Sequence, residues 1–467
     1  MPSRIERDPL GEFPVPAGAY YGVQTARAVA NFPISGLTAP PLLVRATVII
    51  KRAAAETNRQ LGRLPADRAA AIVQACDDIL NGRLDGQFVV DVYQAGAGTS
   101  HNMNANEVIA NRAEEVLGGA RGEYKQVHPN DHVNLGQSTN DVFPTATRLA
   151  LLMQHHLLMD ETRALAEAFA RQAERHAAVL KVGRTHLQDA VPMTLGQELG
   201  GYAACLEQSA RALDAAAAPL LELNLGATAV GTGLNAGEDF ERGAIQSISQ
   251  ATGLECRPAA NRFRVTQSMG DIVGYSGATR RHAVELGKIA SDLRLLAMGP
   301  RAGISEITLP AVQPGSSIMP GKVNPSVPEM VNQVCFQVIG CDTTVAIAGE
   351  AGQLELNVMM PVIAWNALHA AAILTTAQRA LRERTVVGLE ANAARSQELL
   401  DRSTTVATAL SPYLGYALTA EVAKEAVAAG KSIRAVVLER GLMPAEKLDK
   451  VLSVEAMTRP GIAGNEP

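Results

Sequence analysis

Aromatic residues are scarce in this chain. They make up 4% of 467 residues, with a single tryptophan, Trp365. Strand-rich proteins usually carry aromatic and β-branched side chains on their pleated faces, so this scarcity disfavours an all-β fold. Apolar residues still form 47% of the sequence, which is enough for a sizeable core. The composition therefore predicts a mainly α-helical protein.

Paired cysteines and an excess of positive charge are lacking as well. The five cysteines never form a CxxC pair, and their odd number suggests neither a disulfide framework nor a zinc ribbon. Lys and Arg number 42 against 47 Asp and Glu, which gives a net charge of −5. Because no basic field is available to attract polyanions, nucleic-acid binding is disfavoured.

Targeting and membrane-spanning signals are also missing. Residues 1–9 contain no apolar h-region, and no run of about 18 apolar residues occurs. We therefore expect a soluble protein. The cysteine usage fits a reducing cytoplasm best.

Long apolar helices dominate the middle of the chain. Leu151, Leu158 and Leu165 recur every seven residues between Asp141 and Val179, which predicts one long core-facing helix. The wide apolar stripes of the long segments indicate a bundle in which each helix buries more than one face. Four further long helices are predicted at about 195–223, 268–298, 327–351 and 361–389.

The pattern changes on both sides of this bundle. Segments before Asp141 are shorter and interrupted by Gly and Pro, whereas short helices ending at Gly430 and Gly441 follow Asn392. We therefore predict three domains: a mixed, mostly helical N-terminal domain (1–140), a central long-helix bundle (141–392) and a small helical C-terminal domain (393–467).

Four clusters rich in hydroxyl and amide groups interrupt the helices, at residues 98–102, 137–141, 183–189 and 315–325. Such donors, together with an ammonium group, can point at carboxylate oxygens, so the clusters suit an anionic ligand. Each cluster alone could equally be a set of helix caps. The fourth favours a ligand more strongly, because it combines two serines, Lys322 and Asn324.

Other ligand classes find little support. A phosphate loop needs four residues between its glycine and Gly-Lys, whereas five separate Gly315 from Gly321 and a valine follows Lys322. Gly231-Thr-Gly233 lacks the third glycine of a dinucleotide-binding fingerprint. No spaced set of His, Cys and carboxylate ligands occurs, and His155-His156 within a long helix is better explained as solvated or structural.

Helix length bears on assembly. A helix from Pro144 to Val179 would contain roughly 36 residues and be about 54 Å long, which places Asn140 and His186 near opposite ends. If the clusters form one pocket, subunits must associate antiparallel, as closed dihedral symmetry allows. We therefore expect a homotetramer with composite sites.

The fourth cluster resembles the signature loop of the aspartase/fumarase superfamily. Gly315-Ser-Ser-Ile-Met-Pro-Gly-Lys-Val-Asn324 is a long and specific motif, and the resemblance extends from Pro9-Leu-Gly11 to residues 458–463, essentially the whole chain. The resemblance implies three mostly helical domains, a central five-helix bundle and a tetramer with a twenty-helix core. It also implies reversible elimination from a succinyl-type substrate to give fumarate.

Several segments look more like the aspartase branch than like class II fumarases. One is Ser138-Thr139-Asn140, where fumarases typically carry Ser-Ser-Asn; others are residues 130–134, 226–235, 292–296, 327–333 and 352–358. This likeness implies a carbon–nitrogen lyase that reversibly deaminates L-aspartate to fumarate and ammonia. His186 does not discriminate between the branches. Class II fumarase and a non-enzymatic structural relative are the alternatives.

The resemblance also implies roles for individual residues. Ser316, on a mobile loop flanked by Gly315 and Gly321, would remove the β-carbon proton to give an aci-carboxylate, with Lys322 and His186 as further catalytic residues. The other implied contacts are Thr99, Ser138, Thr139 and Ser317 with the β-carboxylate, Thr185, Lys322 and Asn324 with the α-carboxylate, Asn140 and His186 with the amino group, and Glu329 behind His186. No organic cofactor or catalytic metal is expected to be required, although a divalent cation could activate.

Overall fold

The computed structural model describes residues 2–465. The chain forms two compact units, the first comprising Met1–Met159, Arg211–Ala283 and Phe336–Leu374, and the second comprising Asp160–Ala210, Val284–Cys335 and Thr375–Pro467. Each unit is thus built from three separate stretches of sequence. The expected division at residues 140 and 392 stays a prediction.

Helices make up most of the described chain. In order they are α1 Val23–Asn31, α2 Pro41–Gln60, α3 Ala66–Leu80, α4 Thr99–Val116, α5 Thr139–Arg175, α6 Leu195–Ala217, α7 Glu238–Thr252, α8 Arg262–Gln267, α9 Gly270–Leu296, α10 Ser326–Glu350, α11 Met360–Leu381, α12 Ala393–Arg402, α13 Ser411–Leu414, α14 Tyr416–Ala429, α15 Ile433–Glu439, α16 Ala445–Val451 and α17 Val454–Met457. The mainly helical fold is confirmed.

Strands occur only as short pairs in the described chain. They are β1 Ser3–Asp8 with β2 Gly11–Pro16, β3 Leu180–Thr185 with β4 Gln188–Thr194, β5 Glu222–Leu223 with β6 Arg257–Pro258, and β7 Ile307–Thr308 with β8 Glu390–Ala391. All pairs are antiparallel except β5 with β6.

The five long helices expected from the sequence are confirmed as α5, α6, α9, α10 and α11. Two of them end six or more residues earlier than expected. Helix α6 stops at Ala217 because Pro219, which has no N–H, lies in the next turn, a 3₁₀ helix at Ala218–Leu221. Helix α11 stops at Leu381, and the chain continues as a π-helical turn at Arg382–Val386.

Helix α5 runs without a break for 37 residues although Pro144 lies inside it. A proline cannot donate a hydrogen bond to the carbonyl four residues earlier, which here belongs to Asn140. Asn224 supplies the missing donor, because its Nδ2 lies 3.2 Å from the Asn140 oxygen. The helix is therefore continuous from its first turn.

A buried ion pair fixes α5 against α9 within the first unit. Arg148 is wholly buried, and its Nε lies 2.7 Å from Oδ2 of Asp271. Further guanidinium hydrogen bonds reach Asn224 Oδ1 at 3.2 Å and the Val265 carbonyl at 3.3 Å. Since every side of the guanidinium has an acceptor, the cost of burying its charge is largely offset.

Each unit also has apolar clusters of its own. In the first unit one cluster contains Phe143, Leu149, Phe240 and Ile363, and another contains Ile72, Val108 and Val127. In the second unit a cluster contains Leu410, Val422, Val436 and Leu448 from the short C-terminal helices. Helix α14 ends before Gly430, which has a φ of 62°, as the glycine there predicted.

One helical stretch, Met360–Val386, is long and apolar enough to cross a membrane by length and composition alone. In the 18-residue part of this stretch that meets the hydropathy criterion, 61% is buried inside the protein. A mostly buried core helix of a soluble protein has these properties too, so the stretch is weak evidence for a membrane span.

Candidate active site

Thr99 begins α4, directly after a turn that only glycine fits. Gly98 has a φ of 84°, and a Cβ added there would lie 2.1 Å from the Phe143 ring. The exposed Thr99 donates from Oγ1 to the Gly96 oxygen at 3.2 Å. It thus lies at a helix N-terminus, where unpaired N–H groups favour an anion.

Three further site candidates surround the start of α5. Asn102, one turn along α4 from Thr99, donates from Nδ2 to Thr139 Oγ1 at 3.0 Å. Asn140 donates from its backbone N–H to Ser138 Oγ at 3.2 Å and from Nδ2 to the Ala229 oxygen at 2.8 Å. The first two polar clusters of the sequence therefore meet within the first unit.

The side chain of Asp141 fixes the backbone at the start of α5. Its carboxylate is fully buried and accepts backbone hydrogen bonds from Ser138 at 2.9 Å, Gly226 at 3.0 Å and Thr228 at 2.9 Å. Burial raises the pKa of Asp141 to about 6, against the opposite effect of these hydrogen bonds. Asp141 thus fixes the backbone that carries Ser138, Thr139 and Asn140.

A buried lysine, which the sequence analysis did not single out, lies behind these residues. Lys51 is wholly buried and donates from Nζ to Asn134 Oδ1 at 2.8 Å and to Gln137 Oε1 at 3.0 Å. Asn134 Oδ1 also accepts from Asn106 Nδ2 at 3.2 Å and from Asn102 Nδ2 at 3.4 Å. Through Asn102 the network reaches the candidate substrate contacts.

The surroundings of Lys51 disfavour its charged form. Burial lowers the pKa of Lys51 to about 7, and the charge of Asp141 acts in the opposite direction. The two partners of its ammonium group are neutral amide oxygens, which cannot balance its charge as a carboxylate would. Near neutral pH, Lys51 is therefore poised between its charged and neutral forms.

The third polar cluster forms the tip of the β3–β4 hairpin in the second unit. Thr185 pairs with Gln188, so His186 and Leu187 alone make the turn. Their φ angles are 56° and 59°, a left-handed conformation that two-residue turns of this kind require and that glycine or asparagine usually supplies. Both Thr185 and His186 are exposed to solvent.

Ser316 lies in the loop before α10, also in the second unit. Its Oγ accepts hydrogen bonds from the backbone N–H groups of Ile318 at 3.2 Å and Met319 at 3.0 Å. Two N–H dipoles directed at one hydroxyl oxygen stabilise negative charge on it. These contacts act in the direction that the predicted base role of Ser316 requires.

The ends of this loop are tied to each other. Gly315 donates its N–H to the Lys322 oxygen at 2.8 Å, and Asn324 Nδ2 donates to the Gly315 oxygen at 2.7 Å. A Cβ at Gly315 would lie 2.6 Å from that Lys322 oxygen, so this close approach requires glycine here, and the expected mobility of the loop stays a prediction. Ser317 and the Lys322 side chain are exposed, and a cavity of 440 Å³ is lined in part by Ser316 and Lys322.

The structure thus gathers the candidates into three segments. Thr99, Ser138, Thr139 and Asn140 lie in the first unit, whereas the hairpin tip and the 315–324 loop are two segments of the second. No hydrogen bond or ion pair joins His186 to Glu329 among residues 2–465. The individual roles of these residues stay predictions.

Sequence reasoning missed Lys51, Asn102 and Asn134. The sequence could have indicated Asn102, since this residue belongs to the first polar cluster. Lys51 follows Val48-Ile49-Ile50 in an apolar helix, and a charged residue in such a run is a weak sign of a buried polar network. His155 agrees with its expected structural role, because it is buried with Nε2 3.1 Å from Asp214 Oδ1.

Two family models match most of this chain. A family model described as "Lyase" matches residues 11–340, and one described as "Fumarase C C-terminus" matches residues 406–459. The chain is 50% identical over 461 residues to an aspartate ammonia-lyase of Pseudomonas aeruginosa, covering 98% of this chain and 97% of that protein. The chain belongs to the aspartase/fumarase superfamily of lyases.

Solved structures of this superfamily have the same fold. A protein titled fumarate lyase:delta crystallin from Brucella melitensis, bound to cobalt, matches with a TM-score of 0.95 and 51% identity over 98% of this chain and 100% of that chain. A class II fumarase from Schistosoma mansoni matches with a TM-score of 0.94 and 38% identity over the same shares of the two chains. The resemblance inferred from the 315–324 loop is thus confirmed.

The cobalt belongs to the Brucella protein. In the part of the present chain that the structure describes, no group of three or more His, Cys, Asp or Glu side chains is placed to hold a metal ion. The polar atoms of the three segments are mainly hydroxyls, amides and one ammonium group. Such donors suit carboxylates of a substrate better than they suit a cation.

The Lys51 network predicts a rise of stability with pH. The unfolded chain protonates this lysine near the ordinary pKa of 10.5 and the folded chain near about 7, so between these values the unfolded chain binds more protons. The free energy of unfolding should therefore increase with pH, by up to about 2 kcal/mol from about pH 7 to about pH 8.5. Urea unfolding at fixed protein concentration measures it.

Lys51→Met should remove most of this rise. Lys424→Met, which changes an exposed lysine on α14, is the matched control and should leave the rise intact. Equal pH dependence in the wild type and Lys51→Met would show that Lys51 does not carry the effect.

Proposed function

We propose that this protein is a carbon–nitrogen lyase that reversibly deaminates L-aspartate to fumarate and ammonia. The observation that carries the proposal is 50% identity with an aspartate ammonia-lyase along 98% of the chain, which includes all three segments of the candidate site. The match to a class II fumarase is lower, at 38% identity. Hydration of fumarate is therefore the second candidate.

The difficult step is removal of a proton from the carbon beside the β-carboxylate. That carbon acid is very weak, so the charge must move into the carboxylate as an aci-carboxylate, held by fixed donors. Ser316 takes the proton as an alkoxide, supported by the N–H groups of Ile318 and Met319 that already point at its Oγ. Ammonia then leaves from the opposite face.

The substrate is held by hydroxyl, amide and ammonium donors. Thr99, Ser138, Thr139 and Ser317 stabilise the aci-carboxylate, and Thr185, Lys322 and Asn324 bind the α-carboxylate. Asn140 and His186 orient the amino group, with Glu329 behind His186. Support comes from the position of Thr99 at a helix N-terminus and from the exposure of Lys322 beside the Ser316 cavity.

We further propose a homotetramer in which one site takes segments from three chains. Helix α5 has 37 residues and is about 55 Å long, while Asn140 is in its first turn and His186 follows its last turn. Exposed apolar side chains on the long helices also favour association, among them Val284 at 53%, Phe336 at 68% and Ile347 at 65% exposure.

The reaction as proposed needs no organic cofactor and no catalytic metal. The serine accepts the proton, and hydroxyls, amides and one lysine balance the charge of the dicarboxylate. A divalent cation could still activate from a separate site, a possibility to which the cobalt of the Brucella protein lends some support. The cytoplasm is the proposed location, since five free thiols fit a reducing compartment.

Absorbance near 240 nm, where fumarate absorbs, tests the reaction. We expect purified protein to form fumarate from L-aspartate and to do so much more slowly from L-malate, in buffer treated with a chelator. Faster turnover of malate would make this chain a fumarase. Turnover of neither substrate, even after metal is added back, would favour a non-enzymatic relative.

Lys322→Ala should reduce turnover of aspartate without unfolding the protein. Loss of a charge-assisted hydrogen bond to a carboxylate costs about 1.5–3 kcal/mol, which corresponds to a decrease of about 10- to 150-fold in kcat/KM. Lys424→Ala, at an exposed lysine of α14, should leave kcat/KM unchanged. A decrease of less than threefold in Lys322→Ala would remove this residue from the site.

Subunit mixing tests the composite site. Ser316→Ala and His186→Ala should each be inactive, but after random exchange of subunits about a quarter of the sites should receive both intact segments, if these come from different chains. Ser316→Ala mixed with Lys322→Ala is the matched control: both changes lie on one loop, so exchange should add no activity beyond the residual activity of Lys322→Ala. Continued inactivity of the first mixture after demonstrated exchange would contradict composite sites.

A further inference from the structure

The hairpin tip that carries His186 is in a strained conformation. His186 and Leu187 both have left-handed φ angles, 56° and 59°, without the glycine or asparagine that normally relieves the strain. Residues in such conformations keep them only where the surrounding structure holds the backbone firmly. Other residues of the second unit must therefore hold the strands β3 and β4 in place.

A buried carboxylate holds β3. Glu306 is wholly buried, and its Oε2 lies 3.1 Å from Lys181 Nζ and 3.1 Å from Arg184 Nη1, both on β3. Arg184 Nη2 also lies 3.0 Å from Glu306 Oε1. Arg184 directly precedes Thr185, and only Thr185 separates it from His186 in the turn. This ion pair therefore acts close to the hairpin tip.

The charges of this cluster are balanced. Lys181 is 3% exposed and has a second partner, Glu198 on α6, at 2.8 Å. Two cations therefore face two carboxylates in a mostly buried space. Such clusters have strict geometry, because each partner loses much of its compensation if the others move.

Glu306 is itself fixed by its backbone. Its N–H donates to the Leu296 oxygen at the end of α9 at 2.9 Å, and its oxygen accepts from Asn392 N–H at 2.8 Å. Strand β7 begins at the next residue. Ser316 follows ten residues later along the same segment.

The other strand of the hairpin has an anchor as well. Asp189 on β4 pairs in register with Arg184, and its Oδ2 accepts a hydrogen bond from Ser403 Oγ at 2.6 Å. Both strands are thus held just below the tip. The anchor on β3 is the stronger one, because it combines two cations with a buried carboxylate.

We propose that Glu306 is a positioning residue for catalysis. Through Arg184 and Lys181 it fixes the hairpin that presents Thr185 and His186, and it does so from the segment that leads to the Ser316 loop. It touches no substrate. This inference rests on the proposed function, since it assigns Glu306 a part in presenting residues of that site.

Glu306→Gln and Arg184→Gln test the proposal. Misplacing a catalytic group by about 1 Å can cost about 100-fold in rate, so we expect each variant to lower kcat for L-aspartate by about 10- to 100-fold. KM should rise by a smaller factor than kcat falls, since Thr185 is the one residue of the hairpin that is proposed to bind a carboxylate. The double variant should be no slower than the slower single variant, because both changes break one interaction.

Glu161→Gln is the matched control. Glu161 is a mostly buried carboxylate of the same unit. It pairs with two arginines, Arg379 at 2.7 Å and Arg382 at 3.1 Å. None of these three residues belongs to the hairpin tip or to the 315–324 loop. Glu161→Gln should lower the melting temperature but leave kcat unchanged. The positioning role is wrong if the decrease in kcat follows the decrease in melting temperature in all variants, the control included. It is also wrong if folded Glu306→Gln keeps kcat within threefold of the wild type.

Two further points keep the outcomes distinct. Should Glu306→Gln fail to fold, Arg184→Gln carries the test, since the Arg184 side chain is 17% exposed and its loss leaves Lys181 to balance Glu306. The wild type is assayed first on both substrates. If it turns over L-malate instead of L-aspartate, the proposed function fails while the same variants, read on malate, still decide the role of Glu306.

Discussion

Continuity of the backbone hydrogen bonds along α5 is the constraint on which this structure depends. A helix of 37 residues is a rod of about 55 Å, and the residues at its two ends cannot approach each other. The chain preserves this rod even at Pro144, where Asn224 supplies the donor that proline lacks. In the proposed tetramer, polar residues near the two ends of this helix reach one ligand because other copies of the chain supply the missing segments.

The candidate residues lie where regular structure ends. Thr99 and Thr139 each begin a helix, His186 occupies a two-residue turn, and the Ser316 loop immediately precedes α10. At such places backbone N–H groups are not used by a helix or a strand pair and can serve an anion. Buried polar residues next to these ends, such as Asp141, fix the backbone through hydrogen bonds to its N–H groups.

Much of the fold follows from the sequence, because apolar periodicity over twenty or more residues is a strong signal. The five long helices were predicted within a few residues, apart from the ends of α6 and α11. The hairpin β3–β4 was not, since residues 183–189 read only as a polar cluster and their tip lacks the glycine that marks a turn. Ser316 and Lys322 became candidates through one long motif. The buried hydrogen bond between Lys51 and Asn134 joins distant segments of the chain, so no local sequence pattern indicates it.

The fold alone cannot choose between loss of ammonia and loss of water. A class II fumarase shares this backbone with a TM-score of 0.94, and both reactions need the same stabilised aci-carboxylate and the same two carboxylate contacts. Asn140 and His186 meet the leaving group in the proposed arrangement, but neither residue distinguishes the two branches, so the choice must lie in other residues around them. In the proposed arrangement His186 is carried by a strained turn whose position depends on the ion pairs beneath it, so residues that never contact the substrate would also affect catalysis.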